Sequence, residues 1–193
     1  MLEKRKKNPK ERILDKAANL FYIQGFDSTG INQIIEESET FKKSFYTYFQ
    51  DKNSLALPYL EIQERELIEL LTKIIQKHDD YNDFVRAWVK LQKKTMTSSS
   101  YRGCPFALFS NQSIKNKELF QDKIKEIFKN WEELLIQFIE SLQQKNKFPK
   151  KKDAKLIVKK IILYYEGAGQ AYSMTKDPIY IKLLEEELLS LKK

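Results

Sequence analysis

The sequence predicts an all-α protein, and two patterns support that prediction. Apolar residues recur every three or four positions along most of the chain, which is the spacing of one face of an α-helix. No stretch alternates apolar with polar residues between hairpin turns, as the strands of a sheet do. With 193 residues, of which 41% are apolar, the chain is also long enough to bury a hydrophobic core.

The first two predicted helices have recognisable ends. Asn8 can cap the first helix, and Pro9 suits its first position because a proline there gives up no helical hydrogen bond. Gly25 is the type of residue that ends a helix. Ser28 or Thr29 can cap a second, short helix. Short helices are unstable alone, so we expect these two to bury their apolar faces against neighbours.

A third predicted helix covers residues 41–49 and starts soon after the second helix ends near Ser38. This spacing is typical of a helix-turn-helix, whose second helix enters the major groove of DNA. Phe41, Phe45 and Phe49 are spaced at every fourth position. We therefore expect the three rings to form one apolar stripe against the core.

The other face of the third helix carries groups that bind DNA. Two ammonium groups, a phenol and a hydroxyl can bond to phosphates and base edges. They belong to Lys42, Lys43, Tyr46 and Thr47. Thr29, Thr40 and Lys52 lie near predicted helix N-termini, whose backbone N–H groups favour phosphate oxygens. The basic tail at residues 4–7 can follow the backbone of DNA or enter a minor groove. We therefore predict double-stranded DNA as a partner.

The rest of the sequence predicts longer helices separated by polar breaks. Asp51 can cap a fourth helix, which contains Pro58. A proline inside a helix removes a backbone hydrogen bond, so we expect a kink there that acts as a hinge. Further helical patterns cover about residues 84–91, 106–109, 119–142, 153–175 and 178–191.

Composition excludes most classes of enzyme. A single cysteine, Cys104, rules out a disulfide framework and a thiolate-rich zinc site, and a single histidine, His78, rules out a histidine cluster. Five glycines leave no phosphate-binding loop. The carboxylate pairs Glu36-Glu37 and Asp79-Asp80 diverge because adjacent residues on a helix do not face each other. We expect no enzymatic activity, no metal and no cofactor, with an enzyme kept as an alternative.

Membrane and secretion signals are absent from the sequence. No charge-free apolar stretch has the length of a membrane span, and the N-terminus lacks the apolar segment of a signal peptide. We therefore expect a cytoplasmic protein with no membrane partner. The formal net charge of +8 agrees with a polyanionic partner without proving one. A helical adaptor that binds proteins and not DNA remains the alternative function.

Residues 10–57 combine several motifs at specific spacings. These motifs are Ala17-Ala18-x-x-Phe21, Gly25-Phe26 and Tyr46-x-x-Phe49-x-x-Lys52-x-x-Leu55. Together they closely resemble the N-terminal domain of TetR-type transcriptional repressors. The resemblance implies that Thr29, Tyr46 and Lys52 contact phosphates, and that Lys42 and Lys43 lie where the recognition helix meets DNA.

The same resemblance implies a two-domain, ligand-responsive transcriptional regulator, expected to act as a repressor. Residues 1–50 would form the helix-turn-helix DNA-binding domain, with the basic tail at 1–9. Residues 51–193 would form a helical domain for effector binding and dimerisation. A homodimer would bind a palindromic operator, because its two-fold axis pairs two half-sites.

An effector cavity among the later helices is also implied by the resemblance. Such cavities are mainly apolar with a few polar groups, so we expect a small apolar or amphipathic effector. Candidate lining residues are Trp88, Tyr101, Cys104, Phe106, Phe109, Phe128 and Tyr165. Each of these side chains can instead be an ordinary core residue.

Two features of the last helices suit a dimer contact. Gly167, Ala168 and Ala171 are small and let another helix approach closely. Ile181, Leu184 and Leu188 form an apolar stripe that needs a partner. The resemblance favours an isologous contact made by two helices of each subunit. Packing within one chain is the alternative.

The turn before the third helix departs from the family pattern. Glu39 stands where a glycine commonly ends the helix in a left-handed conformation, which costs other residues about 1 kcal/mol. Phe41 stands where a serine commonly caps the next helix, so we expect Ser38 or Thr40 to provide the cap.

Overall fold

The computed structural model describes residues 7–113 and 117–193, which form nine α-helices and no β-strand. The all-α prediction is therefore confirmed. The helices are α1 (Pro9–Gln24), α2 (Ile31–Glu37), α3 (Lys42–Tyr48), α4 (Asn53–Lys77), α5 (Tyr81–Met96), α6 (Pro105–Gln112), α7 (Lys117–Gln144), α8 (Ala154–Thr175) and α9 (Ile179–Ser190). None of these helices is long and apolar enough to cross a membrane.

The described residues form two compact units. The first unit contains residues 7–63 together with 105–113 and 117–124, and the second contains 64–104 and 125–193. Helices α4 and α7 therefore each contribute to both units. The predicted domain boundary after residue 50 stays a prediction, and in the structure residues 53–63 of α4 belong to the first unit.

Helix α1 begins and ends where the sequence indicates. The Asn8 side chain accepts a hydrogen bond from the backbone N–H of Glu11, and the Glu11 side chain accepts one from the backbone N–H of Asn8. These reciprocal bonds form a capping box, which satisfies N–H groups that the first turn leaves open. Gly25 ends the helix at a φ of 94°, a backbone conformation that favours glycine.

The predicted cap of α2 is wrong. The N-cap residue is Gly30, which has no side chain to form a capping hydrogen bond. The Thr29 hydroxyl instead donates to the carbonyl oxygen of Gly25 at 2.7 Å. Thr29 therefore closes the turn between α1 and α2, and it is buried there.

Aromatic rings from several helices form the core of the first unit. Phe26 packs against Phe21 at a centroid distance of 4.9 Å, against Phe109 at 5.1 Å and against Phe120 at 5.7 Å. Tyr59 of α4 contacts the rings of both Phe21 and Phe109 at 5.6 Å. The cluster thus joins α1 and α4 to α6 and the start of α7, and aromatic pairs of this kind add to the hydrophobic burial.

The predicted stripe of phenylalanines on the third helix is only partly correct. Phe45 and Phe49 are buried, whereas the Phe41 side chain is 80% exposed. Phe41 is the N-cap residue of α3 and has an extended backbone, with φ −107° and ψ 151°. It therefore precedes the helix, and the rule that every fourth residue shares a face does not reach it.

The turn between α2 and α3 contains the strained residue that the sequence predicts. Glu39 has a φ of 51°, in the left-handed region. The prediction that Ser38 or Thr40 caps α3 is wrong, because α3 has no side-chain cap. Their two hydroxyls lie 2.8 Å apart, and the Ser38 hydroxyl donates to the carbonyl oxygen of Ile35 in the last turn of α2.

Helix α4 has the predicted acidic residue at its start. The Asp51 carboxylate accepts a hydrogen bond from the backbone N–H of Ser54 at 2.8 Å. Pro58 lies inside the helix and has no N–H to donate to the carbonyl of the preceding turn. The kink and hinge expected at Pro58 stay predictions.

The second unit is built around the buried faces of α5, α7, α8 and α9. The Tyr81 hydroxyl of α5 donates to the carbonyl oxygen of Leu188 in α9 at 2.9 Å. Ile181, Leu184 and Leu188 of α9 are buried within the same chain. The apolar stripe predicted for the dimer interface is therefore packed within one chain, which is the alternative stated above.

Glu39 gives a test of backbone strain. We expect Glu39→Gly to raise the free energy of unfolding by about 1 kcal/mol relative to Glu39→Ala, because glycine adopts positive φ without steric cost. Both variants remove the carboxylate, so the difference isolates the backbone. Urea denaturation followed by circular dichroism measures it.

The matched pair is Glu36→Gly and Glu36→Ala, at an exposed position inside α2. There the glycine should be less stable than the alanine by about 1 kcal/mol. The same sign at both positions would show that residue 39 is not strained.

Candidate functional site

The face of α3 that points away from the core is basic and accessible. Lys42 and Lys43 are exposed, and neither is paired with a carboxylate among the described residues. Tyr46 is 48% exposed, and its ring packs against the buried Phe45 ring at 5.3 Å. Thr47 is exposed, although its hydroxyl donates to the carbonyl oxygen of Lys43 at 2.8 Å. These residues form one surface, which we call the α3 face: Lys42, Lys43, Tyr46 and Thr47.

Two residues predicted to contact phosphate are turned inward. The Thr29 side chain is buried and bonded to Gly25, as described above, and it also accepts a hydrogen bond from the Gln24 side chain. The Lys52 ammonium donates to the carbonyl oxygens of Phe26 at 2.8 Å and Asp27 at 3.2 Å. It also lies 4.7 Å from the centroid of the Phe26 ring. Lys52 therefore holds the start of α4 against the turn that follows α1.

Thr40 and the basic tail were also predicted to contact DNA, and among the described residues neither adds a clear contact group to the α3 face. The Thr40 hydroxyl is half-buried beside Ser38. Of the basic tail, residues 4–6 lie outside the described residues, and Lys7 forms an ion pair with Asp15 of α1. The lysines of the tail therefore add no described cation to the α3 face.

Three of the residues predicted to line the effector cavity lie close together in the second unit. The ring of Tyr165 in α8 stacks on Trp88 at 5.3 Å and meets Trp131 edge-on at 5.6 Å. Phe128 packs against Trp131 at 5.7 Å. The indole N–H groups of Trp88 and Trp131 are buried without a hydrogen-bond partner among the described residues. We call these four residues the aromatic cluster of the second unit.

Tyr101 and Cys104 lie against other residues of α8. A Cβ added to Gly169 would come within 3.0 Å of the Tyr101 hydroxyl oxygen, so the absence of a side chain there allows the contact. The Cys104 thiol interacts with the carboxyl of Glu166. Burial raises the pKa of Glu166, and the hydrogen bond with Cys104 offsets part of that rise. One carboxyl oxygen of Glu166 is buried without a partner in the described part of the chain.

Sequence reasoning missed Glu166, although the sequence contains a signal for it. It is the one acidic residue in α8, whose other residues are apolar, small, polar or basic. By contrast, Phe106 and Phe109 were predicted to line the effector cavity and belong to the first unit. Phe109 packs there against Phe26 and Phe120, and both predicted residues are buried.

Large apolar side chains are exposed on both α8 and α9. Leu163 is 65% exposed and Met174 is 70% exposed. Gly167, between them, is exposed, and a Cβ added there would have no neighbour within 4 Å. Ala168 and Ala171 are half-buried. We call the exposed apolar residues Leu156, Leu163 and Met174 of α8 and Leu183 of α9, together with Gly167, the outer α8/α9 face.

The carboxylate pair Asp79-Asp80 has structural partners. Asp79 forms an ion pair with Lys147, and Asp80 accepts a hydrogen bond from Lys192 at 2.6 Å. The pKa of Asp80 is lowered, first by Lys192 and then by the backbone N–H groups at the start of α5 that it caps. Asp80 thus fixes the end of α9 to the start of α5, and the pair is not poised for acid–base chemistry.

Comparison with known proteins agrees with this architecture. Residues 13–58 match the model of the bacterial regulatory proteins of the tetR family, and residues 82–188 match the tetracyclin repressor-like C-terminal domain. The Bacillus subtilis protein described as uncharacterized HTH-type transcriptional regulator YxaF is 33% identical over 64% of this chain and 65% of its own length. The HTH-type transcriptional regulator LmrA of the same organism is 27% identical over 63% and 66%. The chain thus aligns with just under two thirds of each relative.

Solved structures share the fold over nearly the whole chain. Reduced NemR from Escherichia coli has a TM-score of 0.84 at 18% identity, covering 96% of this chain and 98% of its own. FadR from Bacillus subtilis, solved in complex with stearoyl-CoA, has a TM-score of 0.77 at 18% identity, covering 95% and 98%. At such identities the likeness establishes the fold alone.

Lys52 gives a test of whether this side chain is structural. We expect Lys52→Met to lower the free energy of unfolding by about 1–2 kcal/mol, because two backbone carbonyls lose a charged donor. Urea denaturation of the protein without DNA measures the change. The control is Lys43→Met, at an exposed position, where the change should stay within about 0.5 kcal/mol. Equal stability of the two variants would show that the Lys52 bonds do not support the fold.

Proposed function

Because this chain belongs to the TetR family of bacterial regulatory proteins, it is a transcriptional regulator, and we propose that it acts as a homodimeric repressor. In this proposal the α3 face binds a palindromic operator. A small apolar or amphipathic effector binds the second unit and releases the DNA. The observation that carries the proposal is the α3 face itself, a basic and accessible surface on the second helix of a helix-turn-helix.

The chemistry of the α3 face supports operator binding. Lys42 and Lys43 are exposed ammonium groups without a carboxylate partner among the described residues, so they can pair with phosphates. The Tyr46 hydroxyl can donate to a phosphate or a base edge. Thr29 and Lys52 support binding indirectly, since their inward bonds hold the turn and α4 that flank the helix-turn-helix.

Unsatisfied polar atoms support an effector in the second unit. A buried polar atom without a partner costs about 1–3 kcal/mol, and the aromatic cluster contains two such indole N–H groups. An acceptor on an otherwise apolar ligand would satisfy them, while the carboxyl of Glu166 would accept from a donor. FadR, of the same fold, was solved with stearoyl-CoA, which is amphipathic. Release of the DNA requires that the effector bind the non-binding conformation more tightly.

The outer α8/α9 face supports a homodimer. Its apolar side chains lie on two adjacent helices, and Gly167 leaves room for a close approach of another helix. A second copy related by two-fold symmetry would cover the face with the same face. The proposed interface therefore uses exposed residues of α8 and α9 in place of the buried stripe of Ile181, Leu184 and Leu188. Gly167, Ala168 and Ala171 remain part of the proposed interface, as the sequence predicts.

The first test is salt-dependent DNA binding. A duplex selected from a random library by the wild-type protein serves as the operator probe. We expect Lys42→Ala and Lys43→Ala each to weaken binding about fivefold. Each should also reduce the slope of log affinity against log salt by about 0.9 for every phosphate that the protein no longer neutralises. Fluorescence anisotropy at several salt concentrations measures both quantities.

The control for charge is Lys94→Ala, at an exposed position of α5 in the second unit. Its affinity and salt slope should equal those of the wild type. A helical adaptor would select no duplex and would show no salt-dependent binding to lose, which would overturn the proposed function.

The second test is the oligomeric state. We expect Leu163→Glu to convert the dimer to a monomer, because two carboxylates would meet across the two-fold axis in an apolar contact. Light scattering after gel filtration measures the mass. The control is Leu91→Glu, an exposed leucine of α5 outside this face. A Leu163→Glu variant that stays dimeric would place the interface elsewhere.

A further inference from the structure

Phe41 is the most exposed large apolar side chain in the described part of the protein. Its side chain is 80% accessible, more than that of Met174 or Leu163. It stands at the N-cap of α3, directly before the exposed Lys42 and Lys43. A large, solvent-exposed aromatic ring therefore stands at the start of the proposed recognition helix, next in sequence to two exposed lysines.

Folding gains nothing from a phenylalanine at this position. The N-cap favours serine, threonine, aspartate or asparagine, whose side chains bond to the open N–H groups of the first turn. Phe41 makes no such bond, and α3 has no side-chain cap. Nor does the ring add to the core, which Phe45 and Phe49 supply. A residue that is unfavourable for the helix and exposed to water suggests a use on the surface.

We propose that Phe41 reads sequence by packing its ring against the C5-methyl group of a thymine in the major groove. This inference rests on the proposed function, since it requires that α3 enters the groove. The N-terminal residues of a recognition helix are those that contact base edges. A phenyl ring neither donates nor accepts a conventional hydrogen bond, and the thymine methyl is the apolar group on the major-groove edges.

The charges around Phe41 favour DNA over a protein partner. Lys42 and Lys43 follow it directly, and both are exposed and unpaired among the described residues. An apolar protein surface that covered the ring would have to desolvate these two ammonium groups, at a large cost. The major groove of DNA presents thymine methyl groups beside rows of phosphates. The ring can pack against a methyl group while the two ammonium groups pair with phosphates.

The test uses the duplex selected by the wild-type protein. Each thymine of one half-site is replaced in turn by uracil, which removes the methyl group and leaves the pairing edge unchanged. We expect one such replacement to weaken wild-type binding about three- to tenfold, as the removal of one buried methyl group predicts. Fluorescence anisotropy at fixed salt measures the affinity of each duplex.

Variants of Phe41 test whether the loss of affinity caused by uracil depends on the phenylalanine ring. Phe41→Ala should bind the unmodified duplex about tenfold more weakly and should lose its sensitivity to uracil at that position. Phe41→Leu should recover part of both, because it restores an apolar side chain. The control is Leu57→Ala, which removes another exposed apolar side chain of the first unit and should behave as the wild type. Because Phe41 and Leu57 are exposed, all three variants should keep the wild-type melting temperature.

The outcomes separate the two proposals. If the wild type selects a duplex but no uracil replacement weakens binding, or if Phe41→Ala keeps the same sensitivity, the role of Phe41 is wrong and operator binding stands. If Phe41→Ala binds every duplex as tightly as the wild type, the ring serves another purpose and the inference also fails. If the wild type selects no duplex, the proposed function itself fails.

Discussion

The aromatic cluster around Phe26 is the constraint on which the DNA-binding unit depends. Helices α2 and α3 have seven residues each, too few for either to be stable alone in water. They pack against α1 and against each other, and aromatic rings join α1 to α4, α6 and the start of α7. Residues 105–113 and 117–124 are therefore part of the folded unit that presents α3, although they lie far along the chain.

Much of the fold could be predicted from the sequence because its signals are local. The helix cap at Asn8, the glycine at position 25 and the left-handed residue at position 39 all depend on neighbouring residues. The helical spacing of apolar residues likewise identified the buried faces. These features need no knowledge of which distant elements meet.

Most of the wrong predictions share one physical cause: the type of a residue does not determine which group its side chain contacts. Lys52 was assigned to phosphate, but its ammonium reaches carbonyl oxygens that lie 25 and 26 residues earlier in the chain. The stripe of Ile181, Leu184 and Leu188 was correctly recognised as apolar, yet a pattern cannot show whether its partner belongs to the same chain. The prediction that Phe41 faces the core was wrong for another reason. Helical periodicity holds only inside the helix, and Phe41 precedes α3.

Gly25 is constrained both by its backbone conformation and by the side chain of Gln112. Its φ of 94° ends α1, and a Cβ built there would lie 2.9 Å from the side-chain oxygen of Gln112 in α6. Any other residue at position 25 would therefore meet a backbone penalty, and the flexible Gln112 side chain would have to move aside to admit its Cβ. The consequence is evolutionary: a shorter residue at position 112 would remove the contact, but the backbone would still disfavour every residue other than glycine at position 25.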